Sequence, residues 1–203
     1  MRYTFCLLLL SALFFSCNKN KSLPFLGQTQ IIDGKKVHHT VNDFTFQNQL
    51  GKEVSQDYYR GKIQVADFFF TTCPTICPTV MSNMVGIYDE HIDNDLIHLV
   101  SFTLDPKRDS IEALRLYAEN LEVKSPKWNL LTGQKKELHN LAGNYFNIVL
   151  EDDEAPGGIN HSGKIVLVDK EGRIRSFADG TDSEEVEKFK EDIQKLLKEY
   201  EAS

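Results

Sequence analysis

Two cysteines separated by three residues carry the clearest chemical signal in this sequence. Cys73 and Cys77 lie in the run TTCPTICP, between an apolar segment that predicts a buried strand and an amphipathic segment that predicts a helix. Pro78 favours the first turn of a helix, so we expect both sulfurs near the helix N-terminus, whose partial positive charge stabilises thiolates. Such a pair could share a soft metal ion or form a disulfide. The alternative is a pair of buried structural cysteines, which the flanking prolines disfavour.

Two further residues are candidates to act with these thiols. His161, one of six histidines, precedes a predicted strand, in a loop that could close over the sulfurs. Two thiolates and one imidazole suit Cu(I) and Cu(II), although the sequence alone does not distinguish copper from zinc. Asp67 interrupts the apolar run IQVADFFF, six positions before Cys73. Because an unpaired buried carboxylate is costly, Asp67 is either a hydrogen-bonded structural group or a functional group with a pKa raised by desolvation.

The N-terminal residues predict export and attachment to a membrane. A positively charged start is followed by an apolar run from Phe5 to Phe15, which has the length of a signal-peptide core and is shorter than the about 20 residues that span a bilayer. Cys17 follows a serine, and this pair resembles the lipobox of bacterial lipoproteins, whose cysteine carries the lipid. We therefore predict a signal peptide at residues 1–16, a lipidated cysteine and tether at 17–30, and one folded domain at 31–203. An ordinary signal peptide cut elsewhere, or a retained anchor, is the alternative.

Composition excludes several classes of protein. The chain has 203 residues, of which 41% are hydrophobic and 26% charged, as expected for one globular domain and not for a polytopic membrane protein. Its 30 acidic residues outnumber its 23 basic residues, which makes nucleic acid a poor candidate partner. Of the four cysteines, Cys6 would leave with the signal peptide and Cys17 would carry lipid. A disulfide-rich scaffold is therefore excluded.

Hydrophobic periodicity predicts an α/β fold with a mixed central sheet flanked by helices. Mostly apolar runs predict strands buried on both faces, and amphipathic segments between them predict helices. Asp33 and Gly34 predict the turn of a β-hairpin that extends the domain at its N-terminus. Asp109 is expected to cap the second helix and to form a salt-bridged turn with Asp105 and Arg108. The predicted strands are 41–46, 63–70, 97–104, 148–150, 165–168 and 173–177, and the predicted helices are 80–91, 109–120, 134–145 and 183–200.

Four segments together resemble the Sco/SenC family of copper-handling proteins. The resemblance covers nearly the whole chain after the tether, and it implies a thioredoxin-like fold with Cys73, Cys77 and His161 as copper ligands. It also implies a role in assembling the CuA centre of cytochrome c oxidase. Thr75 and Asn160 depart from the family pattern, which commonly has aspartate at both positions, and both changes remove a negative charge near the predicted site. The four segments are FTTCPTICP at 70–78, DPKRD at 105–109, LTG at 131–133 and NHS at 160–162.

Two functions fit these residues. The first is a copper metallochaperone, a lipoprotein anchored at the extracytoplasmic (periplasmic) face of a membrane, which passes copper to a cytochrome c oxidase subunit or another copper-accepting protein. The second is a thiol–disulfide reductase of the acceptor, in which Cys73 attacks, Cys77 resolves and Asp67 carries the proton. His161 separates the two, because metal binding needs the imidazole and simple exchange does not. A thiol peroxidase is disfavoured, since position 70 is Phe and no proline precedes Cys73 in the strand.

Overall fold

The computed structural model describes residues 22–152 and 154–201. The predicted signal peptide and Cys17 lie outside the described residues. Within the described ranges, no helix is both long enough and apolar enough to cross a membrane.

The described chain alternates strands and helices and ends in a long helix. Two single-turn 3-10 helices lie at Gln56–Tyr59 and Pro156–Gly158. The strands are β1 (Gln30–Ile32), β2 (Lys35–Val37), β3 (Thr45–Asn48), β4 (Glu53–Ser55), β5 (Ile63–Phe69), β6 (Ile97–Thr103), β7 (Trp128–Thr132), β8 (Val149–Glu151), β9 (Ile159–His161), β10 (Lys164–Val168) and β11 (Ile174–Asp179). The helices are α1 (Cys77–Glu90), α2 (Ile111–Asn120), α3 (Lys135–Asn144) and α4 (Ser183–Glu201).

Seven of these strands form one mixed sheet in the order β11-β10-β5-β6-β7-β3-β4. β5, β6 and β7 are parallel neighbours, whereas the outer strands pair antiparallel. Every residue of β5 and β6 is buried, which explains why both strands are mostly apolar in the sequence and do not alternate apolar with polar residues. Helices α1 and α2 make the crossovers that parallel strands require. The predicted mixed sheet with flanking helices is confirmed, as is the N-terminal hairpin of β1 and β2.

The two ends of the central strands have different roles. We call the edge at the carboxyl ends of β5 and β6 the thiol end, because the chain that leaves β5 at Phe69 leads directly to Cys73. We call the opposite edge, where Ile63 and Ile97 begin these strands, the far end. Sites in open α/β sheets form beyond the carboxyl ends of the strands, so the fold directs the predicted ligands to the thiol end.

Two local predictions are wrong, and each error has a physical reason. Asp109 does not cap α2: the hydroxyl of Ser110 accepts the backbone N–H of Ala113 at 3.3 Å, and the Asp109 carboxylate turns inward. His161 does not lie in a loop but ends β9, which pairs with β8 in a two-stranded sheet beside the main one. β8 and β9 have three residues each, too few for a periodic pattern to identify their pairing.

Candidate metal centre

Three side chains from two distant parts of the chain meet at the thiol end. The ligand atoms of Cys73, Cys77 and His161 all lie within 4.8 Å of one another. The Cys77 sulfur is 3.4 Å from His161 Nε2, across 84 residues of sequence. Both cysteines are free thiols, and all three residues are buried. Among the described residues, no other cluster of three or more His, Cys, Asp or Glu side chains is arranged to hold a metal ion.

The turn between β5 and α1 positions the two sulfurs. The backbone N–H of Cys73 donates to the carbonyl of Phe70 at 3.1 Å. Cys77 is the first residue of α1 and Pro78 is the second, so the proline occupies the first helical turn as predicted. Both sulfurs therefore lie where the unpaired N–H groups and the dipole of α1 favour negative charge.

The two thiols differ in acidity. Burial by itself raises the pKa of Cys73, but hydrogen bonds from the backbone N–H groups of Cys77 and Thr75 and from the Thr75 hydroxyl together bring that pKa below its ordinary value. The Thr75 hydroxyl oxygen lies 3.6 Å from the Cys73 sulfur. Burial raises the pKa of Cys77, and negative charge on Cys73 and Asp67 raises it further. Cys73 is therefore the first of the pair to become a thiolate.

His161 is held over the thiols by the small sheet of β8 and β9. The Ser162 hydroxyl accepts the N–H of Ile148 at 3.0 Å and donates to the side-chain oxygen of Asn147 at 3.0 Å, which fixes the chain directly after the histidine. Phe70 packs edge-on against the imidazole, with ring centroids 5.6 Å apart. Burial lowers the pKa of His161, so the imidazole is neutral at neutral pH, the form that binds metals. Its Nδ1 is buried without a hydrogen-bond partner.

Arg108 joins the two halves of the site. Its guanidinium donates to the Gly157 carbonyl at 2.5 Å and also pairs with the Asp105 carboxylate. Gly157, which lies just before β9, has a φ of +84° and lies so close to Phe70 that an added Cβ would be 2.6 Å from the ring. The segment that leads to His161 is thus fixed by one contact from the turn after β6 and by another from the end of β5.

Asp109 secures the other half of the site. Its carboxylate accepts the Thr71 backbone N–H at 3.1 Å and the Thr71 hydroxyl at 2.5 Å, and it also accepts the hydroxyl of Thr103. Thr71 lies two residues before Cys73, so these bonds hold the start of the cysteine turn against the end of β6. The sequence did not predict this positioning role, although Asp109 belongs to the DPKRD segment. Its position before a helical pattern predicted a helix cap instead.

Asp67 lies in β5, two residues before the thiol end of the strand, and is fully buried. The Ser101 hydroxyl donates to its Oδ1, and the Trp128 indole N–H donates to the Ser101 oxygen at 2.9 Å. Oδ2 has no hydrogen-bond partner. Burial raises the pKa of Asp67 to about 7, against the opposing effect of the Ser101 hydrogen bond. Asp67 is outside the three-residue ligand group, but its proton equilibrium lies near neutral pH, a property of groups that exchange protons.

The other described histidines lie outside the ligand group. His91 is buried after α1, and its Nε2 has no hydrogen-bond partner. Four others contact oxygen atoms elsewhere in the fold: His38, His39, His98 and His139.

Comparison with known proteins decides the family. A family model described as SCO1/SenC matches residues 33–198 of this chain. The chain belongs to the SCO1/SenC family. The predicted family membership, which rested on the FTTCPTICP, DPKRD, LTG and NHS segments, is therefore confirmed.

Three solved structures illustrate the likeness. A SCO1/SenC family lipoprotein from Bacillus anthracis is 28% identical with a TM-score of 0.71, and the match covers 78% of this chain and 95% of that one. BsSco, described as a member of the Sco family of cytochrome c oxidase assembly proteins with a disulfide switch, is 29% identical with a TM-score of 0.68, over 82% and 97% of the two chains. Arabidopsis thaliana ScoI with copper bound is 23% identical with a TM-score of 0.66, over 79% and 99%, and demonstrates the shared fold. The expected thioredoxin-like fold is confirmed.

Proposed function

We propose that this SCO1/SenC protein binds one copper ion through Cys73, Cys77 and His161 and delivers it to a copper-accepting protein. The meeting of these three side chains within 4.8 Å carries the proposal. Two thiolates suit Cu(I), and the imidazole extends the donor set to Cu(II). Structural zinc sites normally have four protein ligands, whereas three ligands leave a coordination position open. A ligand of the acceptor can enter that position before the carrier's own ligands leave.

The acceptor we propose is the cytochrome c oxidase subunit that holds the CuA centre. The family to which the chain belongs and the description of BsSco as an assembly protein of that oxidase support this choice. The copper bound to Arabidopsis ScoI supports the identity of the cargo. Deep burial of the three ligands protects a bound ion from solvent, so the ion passes by ligand exchange within a protein complex.

The location follows from the N-terminal sequence. We propose that residues 1–16 are removed as a signal peptide, that Cys17 carries lipid, and that the domain works at the extracytoplasmic face of a membrane, the periplasmic face in a two-membrane cell. The related structure from Bacillus anthracis is described as a lipoprotein, which supports this assignment.

Anaerobic titration of the reduced protein with Cu(I) and Cu(II) tests the copper proposal. We expect one ion per chain, and a loss of affinity in His161→Ala and Cys77→Ala that exceeds the about 10–100-fold expected when only an outer-shell partner of a metal ligand is removed. His38→Ala is the matched control, because the adjacent His38 and His39 could bind Cu(II) adventitiously. Wild-type Cu(II) affinity in His161→Ala would remove that residue from the site.

A second candidate function, reduction of the acceptor's disulfide, is favoured by the contrast between the two thiols and by the buried Asp67. The Cys73 thiolate attacks one acceptor sulfur, and the other acceptor sulfur leaves with the electron pair and takes a proton from water. Cys77 then transfers its proton to ionised Asp67 and attacks the Cys73 sulfur. A Cys73–Cys77 disulfide forms, and the acceptor is released with both thiols reduced.

Trapping of the intermediate tests the reductase role. Cys77→Ala leaves no resolving thiol, so we expect a stable mixed disulfide between Cys73 and the oxidised acceptor, visible on a non-reducing gel. Asp67→Asn should slow the resolving step without changing copper affinity. Failure of Cys77→Ala to trap the acceptor would remove the reductase role and leave copper delivery intact.

A further inference from the structure

The segment Leu23–Leu26 is bound tightly to the far end of the sheet. The guanidinium of Arg175 donates to the Leu23 carbonyl at 2.6 Å and to the Pro24 carbonyl at 3.1 Å. The Leu26 N–H donates to the Ile174 carbonyl at 2.9 Å, so the segment lies alongside the edge strand β11. Leu23 is buried in the core. We call this arrangement the N-terminal clamp.

The side chain of Phe25 and a buried ion network reinforce the N-terminal clamp. The guanidinium groups of Arg173 and Arg175 lie 4.6 and 4.5 Å from the centre of the Phe25 ring. The side chain of Arg175 is only 3% exposed, and it pairs with Asp169 at 3.4 Å and with Glu199 of α4 at 2.8 Å. Detaching the segment would take two carbonyl acceptors away from this buried guanidinium and would expose Leu23, so the clamp is costly to open.

Strand register places the N-terminal clamp away from the thiols. Val168 of β10 pairs with Ile174 on one side and with Gln64 of β5 on the other. Leu26 and Ile174 therefore lie at the level of Gln64, five residues before Phe69 at the thiol end. At about 3.3 Å per residue, these levels are about 17 Å apart along the strands, and the cysteine turn lies farther still.

The chain between the proposed lipid and the N-terminal clamp is short. Four residues lie between Cys17 and Ser22, the first described residue, so the five Cα-to-Cα steps from Cys17 to Ser22 span at most about 18 Å when fully extended. The far end is therefore held within a short distance of the lipid surface. A short tether joined to a rigid clamp restricts the orientation of the domain as well as its distance from the membrane.

We propose that the N-terminal clamp holds the domain with its far end toward the lipid surface and its thiol end away from it, so that the partner is a copper acceptor whose metal site stands clear of the bilayer. This inference depends on the proposed lipid attachment at Cys17. It assigns the surface around the cysteine turn and β9 to the acceptor and excludes an acceptor whose ligands lie at the level of the headgroups.

Two exposed positions that flank β6 allow the orientation to be measured. Asp93 precedes the strand by four residues at the far end, and Lys107 follows it by four residues at the thiol end. A donor dye is attached through an azide-bearing amino acid at one position or the other in the full lipidated chain. Energy transfer is then measured to an acceptor dye on the headgroups of phospholipid vesicles. We expect severalfold stronger transfer from position 93 than from position 107. Equal transfer, or stronger transfer from position 107, would overturn the proposal.

A variant with a loosened clamp tests the cause of this orientation. Leu23→Ser combined with Phe25→Ala removes the apolar contacts of the segment without leaving Arg175 unpaired. We expect the difference in transfer between positions 93 and 107 to shrink, while the circular dichroism of the domain stays the same. A difference that persists in this variant would show that something other than the clamp orients the domain.

The lipid attachment and the orientation can fail separately. A full chain that does not partition into vesicles would refute the lipid proposal. The same two dye positions would then be measured with the chain attached through an added N-terminal hexahistidine to nickel-chelating lipid, which still tests the orientation.

Cu(I) transfer to a dextran-coupled chelator tests the assignment of the partner: we expect equal rates from vesicle-bound and released protein. A slower rate from the vesicle-bound form would overturn it.

Discussion

The two ends of the central sheet use buried polar groups in opposite ways. At the far end the buried charges of Arg175 and Asp169 are paired with each other, and Arg175 also binds backbone carbonyls. At the thiol end Oδ2 of Asp67 and Nδ1 of His161 are buried without partners. Paired buried charges fix a structure, whereas unpaired donors and acceptors leave bonding capacity for a ligand or a proton.

A missing partner is not by itself the mark of a site. Gln56, Gln64 and His91 also have a buried side-chain atom without a hydrogen-bond partner, and none of them belongs to a cluster that could hold a metal. What distinguishes the thiol end is that soft sulfur ligands and an imidazole converge there on one point. The far end is therefore the rigid end of the sheet, and the thiol end is the end that binds a ligand. Each of the substitutions below tests this difference between the two ends.

The largest expected effect is on stability, from Arg175→Met. This change removes a buried guanidinium that binds Asp169, Glu199 and two backbone carbonyls, whereas Arg173 still pairs with Asp169 at 2.8 Å. We therefore expect the free energy of unfolding to fall by about 3 kcal/mol. The Cu(I) affinity of the folded protein should stay the same, since the thiol end is not touched. Urea denaturation and Cu(I) titration measure the two quantities. The control is Arg115→Met, whose ion pairs with Glu112 and Glu119 are exposed to solvent, so its loss should cost far less stability than the loss of Arg175. Equal costs for the two variants would show that the far end is not the rigid end.

The next effect is a pH dependence of stability that arises from Asp67. The folded state raises its pKa to about 7, so between about pH 4 and 7 the folded chain holds a proton that the unfolded chain, with its ordinary pKa near 4, releases. Wild-type stability should therefore fall as pH rises from about 4 to 7 and then level off. Asp67→Asn removes this loss, and its gain over wild type should be about 2–3 kcal/mol greater at pH 8 than at pH 5. Ser101→Ala is the comparison variant, because it leaves the carboxylate in place. The same gain at both pH values would contradict a raised pKa.

Much of the fold could be predicted because its central elements are long and either mostly apolar or clearly amphipathic. β5 and β6 agree with the predicted strands to within one residue, and α4 to within one residue. β7 could not be recognised as a strand from the sequence. The polar Asn129 follows Trp128 at the start of β7, and the strands that pair with β7 come from other parts of the chain. The packing of Leu23–Leu26 on the domain has no periodic signal, since it depends on Arg175, about 150 residues away.

The candidate site could be predicted only in part, because some of its features are local in the sequence and others depend on contacts between distant residues. The spacing of Cys73 and Cys77 and the position of Pro78 are local, so their chemistry can be recognised from the sequence. The choice of His161 among six histidines depended mainly on the family resemblance, because its position before a predicted strand is only a weak local signal. The contact between Arg108 and Gly157 joins segments 49 residues apart, and no sequence pattern predicts this contact.

A smaller effect is expected from Arg108→Gln, which acts at the thiol end without removing a ligand. The variant loses the hydrogen bond to the Gly157 carbonyl and frees the segment before β9, so we expect Cu(II) affinity to fall by about tenfold. Cu(I) affinity should fall less, because the two thiolates dominate its binding. Hydrogen exchange of the backbone N–H groups of Ile159–His161 should become faster. Arg115→Gln is the matched surface control. Unchanged exchange together with unchanged Cu(II) affinity would show that Arg108 does not position His161.

The smallest effect is expected from Thr75→Val, which replaces the hydroxyl near the Cys73 sulfur with a methyl group of similar size. A hydrogen bond worth about 0.5–1.5 kcal/mol corresponds to a rise in the pKa of Cys73 of about 0.4 to 1. The pH dependence of iodoacetamide labelling in the Cys77→Ala background measures it, with Thr79→Val as a control on the first turn of α1. Thr75→Asp should raise the pKa further, because a carboxylate opposes a second negative charge nearby. If neither substitution at position 75 moves the pKa, the acidity of Cys73 is set by the backbone N–H groups at the N-terminus of α1 alone.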